Sequence, residues 1–122
     1  MRFSQDLVSN VNLIRGYGGG ELRINNEVFR TAMLVAPSTL RAESELIAAS
    51  GLGAAHAAHL LELQPEVVLL GTGQKQVFPD PAFGAQFLAA GIGFEVMDTG
   101  AACRTYNVLV SEQRRVAALL IP

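Results

Sequence analysis

Apolar positions along this chain fall into short runs with two different periods. Leu22 and Ile24 alternate with Glu21 and Arg23, the period of a half-exposed strand. Ahead of them, Leu13 and Ile14 lie in a strand-like run that ends at Tyr17-Gly18-Gly19-Gly20. Three successive glycines disfavour helix and strand alike, because glycine loses the most backbone entropy on ordering. Asn25-Asn26 suits a tight turn, since asparagine tolerates positive φ. Extended structure resumes from Val28 to Ala36 and stops at Pro37. Together these features predict a β-hairpin or small antiparallel sheet. Residues 38–51 carry no clear period, and Glu43-Ser44-Glu45-Leu46-Ile47 fits helix or strand equally. From Gly53 to Leu63 the period is helical: Ala54, Ala57, Ala58 and Leu61 share one face, small enough for close packing on a sheet.

After Pro65 the pattern changes again. Val67 to Leu70 is apolar at every position, as in a strand covered above and below. It delivers Gly71-Thr72-Gly73 to its end, followed by a loop over 72–79. Asp80-Pro81 predicts a helix start, because aspartate caps free N–H groups and proline suits the first helical position. Phe83, Phe87 and Leu88 form its apolar stripe, and Gly91 ends it. Ile92, Phe94 and Val96 then make a strand. Strand, helix and strand form a βαβ unit, with parallel strands and a right-handed crossover. Asp98 or Thr99 opens another helix that runs to about Val110. A charged turn at Arg114-Arg115 leads to Val116–Ile121, a last strand of the central kind.

The 122 residues predict one domain over 1–122, with a loosely ordered lead-in over 1–10 where no periodic apolar positions occur. Half the residues are apolar and 16% are charged, which argues against disorder. A net charge of -2 argues against a nucleic-acid footprint, which is basic. One cysteine forms no internal disulfide and suits a reducing compartment. Met1-Arg2-Phe3-Ser4-Gln5-Asp6 has no apolar core of a signal peptide, and no apolar run approaches the ~20 residues of a membrane span. The expectation is a cytoplasmic monomer that does not span a membrane.

Three motifs in order carry a family likeness: Leu70-Gly71-Thr72-Gly73, then Thr105-Tyr106-Asn107-Val108-Leu109, then Glu112 to Pro122. From about Tyr17 onward the chain resembles the Mth-type domain family of small α/β proteins, which includes the mitochondrial complex I assembly factor three. The resemblance implies a three-layer α/β fold, with a mixed central sheet, crossover helices and an additional N-terminal β layer. It implies no established catalytic activity. It implies instead an assembly or interaction protein, whose partner is a respiratory-complex subunit or another assembly factor. Without a mitochondrial leader, the chain is expected to be bacterial.

The apolar runs that stop at glycine or aspartate place polar groups on one rim of the sheet. The candidate binding residues there are Gly71, Thr72, Gly73, Gln74, Asp98, Thr99, Arg104 and Asn107. Gly71-Thr72-Gly73 lacks the Gly-Lys-Ser/Thr of a phosphate loop, and Gln76 stands where a dinucleotide fingerprint needs glycine. A tight turn at a strand end is the plainer reading. Asp98-Thr99-Gly100 mimics an aspartic-protease signature, but an aspartate opening a helix reads first as its cap. Cys103 lies in the first helical turn, where thiols are activated, yet it flanks the apolar face of Ala102, Tyr106, Leu109 and Val110. That place suits a small buried hydrophobe. His56, His59 and Glu62 share a helical face but need a further group from elsewhere to hold a metal, and a solvated face explains them. No acid–base pair, metal set or cofactor motif is complete. The expected function is a non-enzymatic protein-binding module. The alternative is a small-ligand-binding protein or enzyme that uses a pocket between the Gly71–Gly73 turn and the Asp98–Arg104 helix start.

Overall fold

A computed structural model describes residues 11–122; the expected lead-in over 1–10 lies outside the described residues. Strands β1 (Ile14–Gly18), β2 (Glu21–Ile24) and β3 (Glu27–Phe29) form a small antiparallel sheet in that order. Its first turn is Gly19-Gly20, with φ of 62° and 78°. Positive φ at both central residues is what a two-residue hairpin turn with the right twist requires. Asn25, with φ 56°, makes the second turn.

The five-stranded sheet contains β4 (Ala32–Ala36), β5 (Thr39–Glu43), β6 (Val67–Gly71), β7 (Gly93–Met97) and β8 (Val116–Leu120), in the order β5-β4-β8-β6-β7. β8 pairs antiparallel with β4 and parallel with β6, and β6 pairs parallel with β7. The sheet is therefore mixed, and its two halves meet at β8. Every residue of β4, β6 and β8 is buried, as the unbroken apolar runs over Val67–Leu70 and Val116–Leu120 require of strands covered on both faces.

Alternate side chains of those strands enter two cores. On one face Met33, Val35, Val67, Leu69, Ala118 and Leu120 pack with Ile14, Leu22 and Ile24 of the small sheet, and with Ala102, Cys103 and Tyr106. The last three belong to α3 (Thr99–Ser111). On the other face Leu34, Val68, Leu70, Ala117 and Leu119 meet α1 (Ala54–Glu62) and α2 (Pro81–Ala89). The result is a three-layer α/β arrangement, with the additional β layer and α3 sharing one face of the mixed sheet. Phe83, Phe87 and Phe94 cluster on the other face, with the Phe87 and Phe94 rings stacked at 5.3 Å. Gly84 makes room for that stack, because a Cβ there would stand 2.7 Å from the Phe94 ring.

Three local expectations change, and one open segment takes a definite form. The run from Val28 to Ala36 is two strands in two different sheets, because the chain leaves the small sheet at Arg30-Thr31. Residues 39–43 form edge strand β5, followed by a short 3-10 turn at Ala49–Gly51. α1 buries His56, Ala57 and Leu60 and exposes Ala54 and Ala58, so its inner face is rotated from the alanine stripe. Leu88 is exposed, and Gly84 takes its place on the inner face of α2.

Candidate functional site

Parallel pairing sets Gly71, Met97 and Leu120 side by side at the ends of β6, β7 and β8. A network of short hydrogen bonds closes this rim. Thr99 Oγ1 donates to the Ile121 carbonyl at 2.6 Å and accepts the Gly73 N–H at 2.8 Å. The Thr99 N–H donates to the Gly73 carbonyl at 2.9 Å, and the Ile121 N–H to the Gly71 carbonyl at 2.9 Å. Thr99 is buried, so its hydroxyl uses donor and acceptor capacity where neither is solvated. Gly71 allows the close approach: a Cβ there would lie 3.0 Å from the Thr99 Cα. Thr72 Oγ1 donates to the Lys75 carbonyl at 2.6 Å and accepts the Val77 N–H at 2.9 Å, which shapes the following loop.

Beside this network lies a cleft of about 390 Å³. Gly73, Gln74, Asp98, Thr99 and Arg104 line it, together with Tyr17, Gly18, Gly19, Gly20, Glu21, Gly100 and Pro122. The Gly71–Gly73 turn and the start of α3 thus stand next to each other. Gly71 and Thr72 sit behind the wall and hold it in place. Asn107 lies off the cleft: its side chain donates to the Ile14 carbonyl at 2.7 Å and accepts the Ile14 N–H at 3.0 Å. It mimics a strand neighbour and so ties β1 to α3.

The helix start offers few free N–H groups to the gap. Thr99 N–H is taken by Gly73, Ala101 N–H by Asp98 Oδ1 at 2.9 Å, and Ala102 N–H by the Asp98 carbonyl. Gly73 has a conformational role, because its φ of 101° strains any L side chain although no atom of the described residues lies within 4 Å of a Cβ built there.

The opposite wall comes from the small sheet. The Tyr17 ring lies across Gly100, where a Cβ would meet the ring at 2.7 Å. Arg104 Nη1 donates to the Tyr17 hydroxyl, and the guanidinium lies 5.8 Å from the ring centroid. A signal for this wall stood in the sequence as Tyr17 before three glycines. Its position against α3 depends on tertiary bonds such as Asn107 to Ile14. Cys103, next to Arg104 in sequence, is buried behind the wall. Burial pushes its thiol up to about 12, against a weaker opposing pull from Arg104. It stays a neutral thiol at physiological pH and fits a small core hydrophobe.

A larger cavity of about 620 Å³ lies at the opposite rim, among Pro37, Leu63, Pro65, Val110 and Arg115. Among the described residues its lining is mainly apolar and gathers no acid–base pair. A separate cluster joins Glu43 at the end of β5 to His59 of α1, with Glu43 Oε2 and His59 Nδ1 at 2.8 Å. His56 is buried in the same region. The expectation of a solvated histidine face is therefore wrong for His56.

The mixed sheet, the small sheet that shares a face with α3 and the rim cleft together define a class of three-layer α/β domains. The family model described as "Protein of unknown function (DUF498/DUF598)" matches residues 14–121. The chain belongs to that family. A crystal structure of a Bordetella parapertussis protein is 36% identical with a TM-score of 0.81, over 92% of this chain and 96% of that one. A solution structure from Bordetella pertussis, described as a Mth938-like domain, is 30% identical with a TM-score of 0.78, over 93% and 87%. The Mth-type resemblance is thereby established. Among curated relatives, assembly factor 3 of the NADH dehydrogenase (ubiquinone) 1 alpha subcomplex from Danio rerio is 45% identical over 64 residues. That match takes in 52% of this chain and 37% of the relative. A "13 kDa major membrane protein" of Francisella tularensis is 28% identical over 99% of each chain. Among the described residues, no helix is long and apolar enough to cross a membrane.

Proposed function

We propose that this chain is a binding domain whose rim cleft, between the Gly71–Gly73 turn and the Asp98–Arg104 helix start, takes a small polar ligand bearing a carboxylate. One observation carries the reading: a cleft of about 390 Å³ is walled by glycine backbone and has an exposed arginine at its edge. An arginine fork binds a carboxylate through two parallel N–H bonds. Arg104 uses Nη1 on Tyr17, which leaves further donors for a ligand. Asp98 in the lining repels a multiply charged anion, so the site favours a polar or carboxylate group over a bare phosphate. The neutral thiol of Cys103 points to binding without covalent chemistry.

A second reading is favoured by the assembly-factor relatives. Here the carboxylate belongs to a protein partner in the cytoplasm, a respiratory-complex subunit or another assembly factor. Purification from the native cell, with mass spectrometry of both released small molecules and captured proteins, separates the two. Arg104→Glu is expected to lose the bound species while melting at an unchanged temperature. Retention of the same molecules by that variant would overturn the cleft assignment in both forms.

A further inference from the structure

Away from the cleft, the end of β5 and the first turn of α1 bring Glu43, Glu45 and His56 together. One donor atom of each lies within 4.8 Å of the others. Their burial differs sharply. Glu43 is 2% exposed and His56 7%, whereas the Glu45 side chain is 76% exposed. A buried carboxylate needs partners. Glu43 Oε2 has His59 Nδ1 at 2.8 Å and Arg41 Nε at 3.4 Å. His56 Nε2 is buried with no hydrogen-bond partner among the described residues. It faces Glu45 Oε1 at 3.9 Å, too far for a hydrogen bond.

We propose that Glu43, Glu45 and His56 form a site for a divalent transition metal of the zinc type, with His59 as a positioning residue behind Glu43. One imidazole and two carboxylates make a donor set that zinc accepts, with a fourth position left for water. The imidazole selects against magnesium and calcium, which take oxygen ligands. Two donors are fixed by burial, and exposed Glu45 is the arm that swings in. The bond from His59 holds the Glu43 carboxylate from behind, as outer partners of metal ligands do.

His56 adds a coupling. Its Nδ1 accepts the Gly53 N–H at 3.0 Å, so the proton of the neutral ring stands on Nε2, where the metal binds. Loading moves that proton to Nδ1 and breaks the Gly53 bond. Metal binding is therefore linked to release of the bond that closes the first turn of α1.

The test is a calorimetric titration of Zn²⁺ into the metal-stripped full chain, with the Gly53 amide followed by NMR. One ion per chain is expected, with a shifted Gly53 resonance that exchanges faster with solvent. Glu45→Ala changes an exposed side chain and preserves the fold; it should weaken binding by more than about tenfold, and His59→Ala by about 10–100-fold. Excess Mg²⁺ should not compete. No binding, or Zn²⁺ binding that is unchanged in Glu45→Ala and leaves the Gly53 amide in place, overturns the site.

Discussion

The two walls of the rim cleft are both built on glycine, for opposite reasons. In the Gly71–Gly73 wall, Gly71 is buried and lets Thr99 approach so closely that a Cβ there would stand 3.0 Å from the Thr99 Cα and force a neighbour to shift. Thr99 then locks three chain segments through its hydroxyl and N–H. In the Gly18–Gly20 wall, no atom of the described residues lies within 4 Å of a Cβ built on any of the three glycines. Those glycines serve the turn's handedness and leave backbone bare toward the cleft. One wall is thus part of the core, and the other is a surface laid against it. Mutations should separate stability from binding along that line.

The largest effect is expected at Gly71→Val, which drives a branched side chain into α3. Overpacking should cost about 3 kcal/mol, read as a lower urea midpoint at unchanged slope. Thr99→Val keeps the shape but leaves the Gly73 N–H and the Ile121 carbonyl unpaired; a loss of about 2 kcal/mol is expected in the same assay. Gly19→Ala meets no neighbour and carries only the strain of left-handed backbone, about 1 kcal/mol. If Gly19→Ala proves as damaging as Gly71→Val, the contrast between the walls fails. Smallest in stability is Tyr17→Phe, whose exposed bond to Arg104 should be worth less than about 1 kcal/mol. It should nevertheless alter ligand retention, because it frees the guanidinium.

A pH experiment sharpens the picture of the wired wall. Burial raises the Cys103 thiol from an ordinary value of 9.0 to about 12, and burial also raises Tyr106. Both groups stay neutral in the folded chain while their unfolded forms ionise. Their stabilising contribution is complete below about pH 9 and falls as pH rises beyond it. Stability should therefore decline between pH 9 and 12, more steeply than in Cys103→Ala. Alkylation of Cys103 at pH 8 should be slow until the chain is denatured.

The parts of the fold that were legible in the sequence share a physical cause. β6, β8 and α3 carry patterns set by burial on both faces or by one strong stripe, and such patterns survive without knowledge of neighbours. Val28 to Ala36 hid its division because both segments are extended, and only pairing partners distinguish two sheets. α1 was rotated because alanines lie on several of its faces and give weak direction, while His56 is held inward by the bond its Nδ1 accepts from the Gly53 N–H. The first cleft wall could be inferred because parallel strands deliver their ends to one rim. The second wall depends on β1 docking against α3, a contact between residues more than ninety positions apart, as in Asn107 with Ile14.

The central position of β8 has a consequence for biogenesis. The antiparallel pair β4–β5 and the parallel pair β6–β7 are joined in the sheet through β8, the last of the described strands in chain order. While the ribosome is still making residues 116–120, the facing edges of β4 and β6 present unpaired backbone and apolar side chains. Such edges invite pairing with other nascent chains. The sheet cannot close by local zippering, since its keystone pairs with segments far back in the chain, a topology that slows folding. Production of this protein should accordingly depend on chaperone supply during synthesis more than its small size suggests.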